Sequence, residues 1–255
     1  MLSVIKKILP EITAFLIGIS TVYFLNWDTT DLVWSLWLSS LTLGYTTILS
    51  AVAGGAYFGL HVIFHEDFPR SHRLPAIISG GFFLLFLLGF FSFHFCAFHS
   101  GHASFLISFF PVAGIPESSF MDSFMNPPLL WKTVFRYIMP LYGVFLVATL
   151  ITERLNIFAP LVDAVRLVNQ GIKKETAQTY PQSSDTKKRA LKDPFTRPYI
   201  NVIKMHLLIF FFAGCHALKV DSFVVYAAVY MVYFFPWRIL KQGKESEKLR
   251  RNALN

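Results

Sequence analysis

Histidine is the residue type in this sequence whose spacing best suggests chemistry. Three of the eight histidines, His94, His99 and His102, lie close together in one apolar stretch. On an α-helix, with about 100° per residue, their side chains fall within an arc of about 140° and face one side of the helix. Neutral imidazole is a common ligand of zinc, copper, iron and haem, and two opposed imidazoles ligate a tetrapyrrole axially. Phenylalanines flank His94 and His102, which suits a flat ring.

A second apolar stretch, nearer the C-terminus, carries His206 and His216. If the two stretches form helices that run in the same direction, His94 and His206 share one level in the membrane, and His102 and His216 share another level further out. His94, His102 and His206 are therefore the candidate ligands of a metal site, for a transition metal or a haem. His99 and His216 are weaker candidates for the same site.

Two other interpretations of these histidines stay open. A histidine in a helical bundle often makes a hydrogen bond to a carbonyl or hydroxyl group of a neighbouring helix. The sequence favours this structural role, because a histidine and a phenylalanine stripe are both ordinary in a helical core. A relay for protons or substrate is the third interpretation, since ionisable residues at membrane depth are costly and are often functional.

His61 and His65 form an HxxxH pair, which on one helix places both rings on the same face, as in zinc sites. No glutamate follows the first histidine, so the metalloprotease motif is absent. The pair is a further weak metal candidate at a predicted membrane edge. The sequence also lacks a GxSxG motif, a P-loop and a GxGxxG motif. We assign no catalytic residue and do not favour an enzyme.

The composition excludes a soluble protein. Of the 255 residues, 54% are hydrophobic and 15% are charged, whereas globular domains carry about 25% charged residues. The apolar residues fall in blocks of about twenty, the length that crosses a hydrocarbon core as a helix. A soluble enzyme, a disordered chain and a coiled coil are therefore excluded. The net charge is +8, and because the basic residues lie beside the apolar blocks, we expect lipid headgroups as partners and no nucleic acid.

Lipid requires each spanning segment to be a helix, since backbone polar groups find no water there. We therefore predict an all-α fold, a polytopic transmembrane helical bundle with about six spans and with both termini cytoplasmic. The whole chain, 1–255, forms one transmembrane domain. The predicted spans are 10–25, 32–64, 75–110, 134–152, 199–218 and 223–240.

The second and third predicted spans are longer than one crossing needs. Residues 75–110 amount to about 54 Å of helix, against a hydrocarbon core of about 30 Å. Either such a helix tilts and projects from the bilayer, or it breaks. Candidate break points are Gly54–Gly55, Gly80–Gly81 and Ser100–Gly101, and Pro140 interrupts the fourth span.

Residues 153–198 form the longest polar segment, which we place in the cytoplasm. Its first half, about 160–171, has apolar residues at helical spacing and Pro160 at the first helical position. This pattern predicts an amphipathic helix that lies in the membrane interface. Gly171 is the expected C-terminal stop of that helix. Residues 173–193 are polar and unpatterned, and we predict that they are flexible.

Three segments carry a family resemblance. NWDTTDLVWSLWLSSLTLG resembles the pattern WD…YWxE…G, FHFCAFHSGH resembles HYGxFxxGH, and RPYINVIKMHLLIFFFAG resembles PYxRIxxxHxxIxxG. These patterns belong to a prokaryotic multi-pass membrane family of unknown function, domain of unknown function 6498. The resemblance covers the middle and the C-terminal half of the chain. It implies a membrane fold and no known activity.

The resemblance can be followed residue by residue. Ser39 stands where the family has an intramembrane glutamate, and Asn201 stands where it has an arginine. The last span ends in YFFPWRIL, without the lysine and aspartate that the family pattern implies. A role that depends on those polar residues is therefore lost in this chain. The positions that match are His94, Phe98, Gly101, His102, Pro198, Tyr199 and His206.

Three functions fit the sequence. The first is a non-catalytic component of a prokaryotic inner membrane, in contact with the lipid bilayer and with other membrane subunits. The second is a membrane protein with a histidine-ligated metal or tetrapyrrole, which would make a redox role available. The third is a small transporter, because several spans are interrupted by glycine or proline. Intramembrane carboxylates are lacking, which weighs against an ion-coupled carrier.

The distribution of basic residues predicts the orientation. With six spans, 19 lysines and arginines lie on one side of the membrane, including those of the charged tail 241–255, and 3 lie on the other. An excess of positive charge marks the cytoplasmic side. In a cysteine-free background, we expect an impermeant thiol reagent added outside intact cells to label Ser119→Cys and to leave Gln182→Cys unlabelled. Labelling of Gln182→Cys from outside would refute this orientation.

Overall fold

The computed structural model describes residues 2–176 and, further along the chain, residues 203, 207, 210, 211, 214, 215 and 217–220. These residues contain helices and no strand, which confirms the predicted all-helical fold class. The helices are α1 (Leu2–Phe24), α2 (Thr29–Phe64), α3 (Arg70–Phe109), α4 (Ser119–Asp122), α5 (Pro127–Thr133), α6 (Met139–Ile157) and α7 (Ala159–Thr176), with a π-helical turn, Val134–Ile138, between α5 and α6.

Three helical segments are long and apolar enough to cross a membrane: Thr29–Phe64, Arg70–Phe109 and Pro127–Gln170. They cover the second, third and fourth predicted spans. The first predicted span lies in α1, which contains the apolar stretch Ile12–Thr21. The predicted span 223–240 and most of 199–218 lie outside the described residues.

Both α2 and α3 are continuous, so the long apolar regions are single helices rather than broken ones. Helix α2 has 36 residues and α3 has 40, which correspond to about 54 Å and about 60 Å. Glycine pairs within them do not interrupt the backbone ladder, because a glycine inside a helix costs only about 1 kcal/mol relative to alanine. Helix α2 starts in a capping box, in which Asp28 accepts from the N–H of Asp31 and Asp31 accepts from that of Asp28.

Helix α2 is the central element of the described fold. It packs against α3, α6 and α7, while α1 packs mainly against α6. Along α2, Ser39 contacts Thr149 and Gly54 contacts Pro160. The residue with the higher number in α2 contacts the residue with the higher number in the α6–α7 segment. The two segments therefore run in the same direction. Helix α3 returns antiparallel to α2, as expected for two helices joined by a short connection.

The turn before α6 has a specific cause. Pro140 has no N–H group, and its ring would clash with the carbonyl of Arg136 in a regular α-helix. The backbone widens here into a π-helical turn, and the N–H of Met139 donates to the carbonyl of Val134 five residues earlier. The predicted interruption at Pro140 is therefore a change of helix type and not an end of the helix.

Helix α7 begins at Ala159 and continues past Gly171 to Thr176. The expected stop at Gly171 is thus absent, since one glycine is a weak helix breaker. Ala164 and Val168 of α7 are buried, and the backbone of Pro160 approaches Gly54 of α2 so closely that a β-carbon there would lie 2.9 Å from its carbonyl oxygen. Helix α7 is therefore anchored on α2. Its position in a membrane interface stays a prediction.

Gly44 of α2 provides a test of the α2–α3 contact. A β-carbon at this position would lie 2.1 Å from the ring of Phe95, and that ring is 1% exposed and has no room to move. We expect Gly44→Ala to lower the free energy of unfolding by about 1–3 kcal/mol through overpacking, measured as a lower thermal unfolding temperature in detergent.

The matched control is Gly59→Ala in the same helix, where no described atom lies within 4 Å of the added β-carbon. We expect this variant to be as stable as the parent protein or slightly more stable, because alanine favours helix over glycine. Equal losses in the two variants would contradict the packing argument.

Candidate functional site

Two tryptophans of α2 donate hydrogen bonds to backbone carbonyls in the C-terminal part of α3 and at its C-cap. The indole N–H of Trp34 donates to the carbonyl of Phe110 at 2.8 Å, and that of Trp37 donates to the carbonyl of His99 at 3.2 Å. Both tryptophans are fully buried. A buried indole needs an acceptor for its N–H, and here the acceptors are backbone oxygens of the neighbouring helix. These bonds fix the position of α3 relative to α2 along the helix axis.

The connection from α3 to α5 enters the space beside these tryptophans. Phe120, on the short helix α4, is fully buried, and its ring centroid lies 5.4 Å from that of Trp34 and 5.6 Å from that of Trp37. Sequence reasoning missed this contact, because a four-residue helix has no readable period. The one available signal was an aromatic residue between the polar residues of the loop.

The same connection is fastened by backbone contacts to α3. The carbonyl of Ser123 accepts hydrogen bonds from the Cys96 thiol at 3.3 Å and from the Ser100 hydroxyl at 3.2 Å. Cys96 is a buried free thiol, as expected from its apolar surroundings. We call the segment 111–126 the outer plug, since it fills the space between α2 and α3 at the end where α2 begins.

His99 belongs to the packed interior. It is 1% exposed, and its Nδ1 lies 3.0 Å from the carbonyl oxygen of Phe95 one turn earlier. Its ring packs against the rings of Phe95 and Trp37, at centroid distances of 4.2 Å and 5.9 Å. These contacts are typical of a structural histidine that forms part of a core.

His94 lies on another side of α3, in a row of rings at four-residue spacing. We call Phe86, Phe90, His94, Phe98 and His102 the aromatic ridge. The His94 ring is stacked on Phe90 with centroids 5.7 Å apart and an angle of 11°, and it meets Phe98 at 4.9 Å. The phenylalanines of the ridge are exposed and the two histidines are half-buried. Rows at this spacing are the ridges that pack into grooves of a neighbouring helix.

His102 is at the end of the ridge, with its ring centroid 6.5 Å from that of Phe98 and 6.5 Å from that of His99. Among the residues that the structure describes, no three His, Cys, Asp or Glu side chains form a group that could hold a metal ion. His206 and His216 lie outside those residues. The three-histidine site therefore stays a prediction. Of its three residues, the structure describes His94 and His102, which lie on the same ridge.

The HxxxH pair does not stay on one helix. Helix α2 ends at Phe64, and His65 is its C-cap in an extended conformation, while His61 lies in the last helical turn. The Nδ1 atom of His65 lies 3.5 Å from a carboxylate oxygen of Asp67, and its carbonyl accepts from Arg73. These contacts stabilise the turn into α3, which gives His65 a structural role.

Ser39 occupies the middle of the contact between α2 and α6. Its hydroxyl lies 3.1 Å from that of Thr149, and Thr149 also donates to the carbonyl of Phe145. Both side chains are buried. The pair is a neutral hydrogen-bonded bridge between the two helices.

A sequence model for a family of unknown function, DUF6498, matches residues 7–234. The chain belongs to this family. No curated protein and no solved structure matches it. In this DUF6498 protein, the described residues of the α2 and α3 segments that resemble the family lie in different places. Trp37 and Gly44 are buried where α2 meets α3, whereas His94, Phe98 and His102 form part of the aromatic ridge.

Proposed function

We propose that this DUF6498 protein is a non-catalytic, multi-pass component of a prokaryotic inner membrane that packs against other membrane subunits. The observation that carries the proposal is the exposed apolar surface of α3. Contiguous apolar surface of this extent marks a membrane or protein contact. Its exposed residues include Leu74, Ile78, Phe82, Phe83, Leu85, Phe86, Phe90, Phe93, Phe98, Phe105 and Phe109.

The form of this surface favours a protein partner over lipid alone. Phe86 and Phe90 are stacked, with centroids 6.3 Å apart, and the stacking continues through His94. Lipid tails do not require an ordered ridge, whereas a neighbouring helix packs its groove onto one. A half-buried imidazole in the row is also better placed against protein than against hydrocarbon, because polar side chains avoid lipid.

The packed interior supports a non-catalytic role. The space between α2 and α3 is filled by Trp34, Trp37, Phe95 and Phe120, which are all fully buried. Polar groups there are used in structural hydrogen bonds, such as that from Trp37 to the His99 carbonyl. We extend the proposal to six spans with cytoplasmic termini, which rests on the 19 to 3 distribution of lysine and arginine.

A photo-reactive phenylalanine at Phe86 tests the proposed partner contact. We expect irradiation of native membranes to give one protein adduct of constant mass, because the proposed subunit covers the ridge. The control is the same group at Phe124, which is 50% exposed in the outer plug and lies off the ridge. Adducts with lipid alone at Phe86 would overturn the role as a subunit.

A second candidate is a histidine-ligated metal or tetrapyrrole protein, with His94, His102 and His206 as ligands. It is favoured by the geometry of His94, whose ring is held by Phe90 and Phe98 on the side of α3 that α2 leaves open. These ring contacts hold the imidazole in one orientation, and the imidazole would supply a nitrogen ligand to the metal. The ligand His206 comes from the sequence argument alone.

The substitution His94→Phe separates the two candidates. If His94 is a ligand, the purified protein has a metal content or a visible absorption band, and the variant loses it. If His94 is structural, neither signal is present and the variant loses little stability, since an interhelical hydrogen bond in a membrane contributes about 0.6 kcal/mol on average. Elemental analysis, an absorption spectrum and a thermal melt decide between them. His72→Phe, outside the ridge, is the control.

A further inference from the structure

One face of α2 carries a polar row that neither proposed function uses. Its members follow one another at spacings of three, four or seven residues, and they fall within an arc of about 120° around the helix. From the Asp31 end to the His61 end the row covers about 45 Å of helix. We call it the polar stripe. Its members are Asp31, Ser35, Ser39, Thr42, Thr46, Ser50, Tyr57 and His61.

The polar stripe faces other helices over its central part. Ser39 bonds to Thr149 of α6, and Gly54, next to the stripe, meets the backbone of Pro160 in α7. Ser50 lies between these two contacts and is 7% exposed. The hydroxyls are therefore held along the contact of α2 with the α6–α7 segment.

Two hydroxyl groups of the stripe lack the partners that a buried position requires. The Oγ1 atom of Thr42 and the Oγ atom of Ser50 are buried, and no described residue makes a hydrogen bond to either. A buried polar group without a partner costs about 1–3 kcal/mol. Ordered water commonly meets this need at polar positions inside proteins. Ser35 and Thr46 bond only to backbone carbonyls of their own helix, so their oxygens can still accept from water.

Each end of the stripe carries an ionisable side chain. At one end, the Asp31 carboxylate accepts from the N–H of Asp28. At the other end is the half-buried imidazole of His61. An ionisable group at each end of a hydroxyl row is the arrangement of a proton relay in a membrane. Among the residues of α6 and α7 whose side chains the structure describes, the charged groups are Glu153, Arg154, Asp163 and Arg166, all towards the His61 end.

We propose that the polar stripe binds a file of water molecules and conducts protons between Asp31 and His61. A proton enters at the Asp31 carboxylate. Each water or hydroxyl oxygen along the file accepts one proton on a lone pair and passes one on. His61 receives a proton as imidazolium and releases it to the other side. No bond in the chain is changed after one passage, and no oxidant or reductant is needed.

The inference rests on the membrane setting proposed above, and the experiment separates the two. The full chain is reconstituted into phosphatidylcholine and phosphatidylglycerol vesicles that contain a pH-sensitive dye, and a potassium diffusion potential drives protons. Vesicle flotation measures membrane insertion and dye fluorescence measures proton flux. We expect flux above that of empty vesicles. Protein that fails to float contradicts the membrane setting, whereas inserted protein with no added flux contradicts the proton path.

The substitution Ser50→Val tests the stripe itself. It replaces a hydroxyl with methyl groups and makes a dry constriction, which we expect to lower the flux about tenfold. Ser40→Val is the matched control, because Ser40 lies on the same helix, is also 7% exposed and has no partner among the described residues, but points away from the stripe. We expect its flux to equal that of the parent protein. Equal effects of the two substitutions would overturn the assignment.

Thr42→Val is a second test of the stripe, for the case that Ser50→Val does not fold. Valine has nearly the shape of threonine, with a methyl group in place of the hydroxyl. Thr47→Val in the same helix is the control, since Thr47 is buried outside the stripe. A flux loss in Thr42→Val alone supports the path. An unchanged flux in Thr42→Val overturns it.

Discussion

The fit of the Phe95 ring against Gly44 is the contact on which the described fold depends. A side chain of any size at position 44 would push α3 away from α2. With the helices this close, the Trp37 indole reaches the His99 carbonyl and the Tyr45 hydroxyl reaches the Ser92 carbonyl. Inside a bilayer, lipid tails are as apolar as leucine, so close packing and such hydrogen bonds must hold helices together.

The second consequence of that contact is a division of α3 into two sides. Phe95 and His99 face α2 and are buried, while the aromatic ridge is left outside the α2 contact. Helical phase alone places His94, His99 and His102 in one arc of about 140°. An arc of this width includes both sides of α3, so the sequence could group the three histidines but could not separate the core histidine from the two on the ridge.

Long apolar helices could be predicted from the sequence, whereas short helices and loops could not. The apolar lengths of the second and third predicted spans indicated long helices, and α2 and α3 are long and apolar enough to cross a membrane. Whether glycine pairs would break them depended on packing that a sequence does not display. The ends of α7 show the same limit, since Gly171 is tolerated inside a helix that α2 supports. The outer plug was missed altogether, because Phe120 is buried by contacts with residues far away in the chain.

The lengths of the helices impose a mismatch on the surrounding bilayer. A hydrocarbon core of about 30 Å is crossed by about 20 residues of helix. Helices α2 and α3 are nearly twice as long, and a tilt of about 40° would still leave α2 longer than the core by about 10 Å. Thicker bilayers let α2 and α3 stand more upright, and thinner ones tilt them further. In a bilayer, acyl-chain length would therefore act on the crossing of these two helices at Gly44.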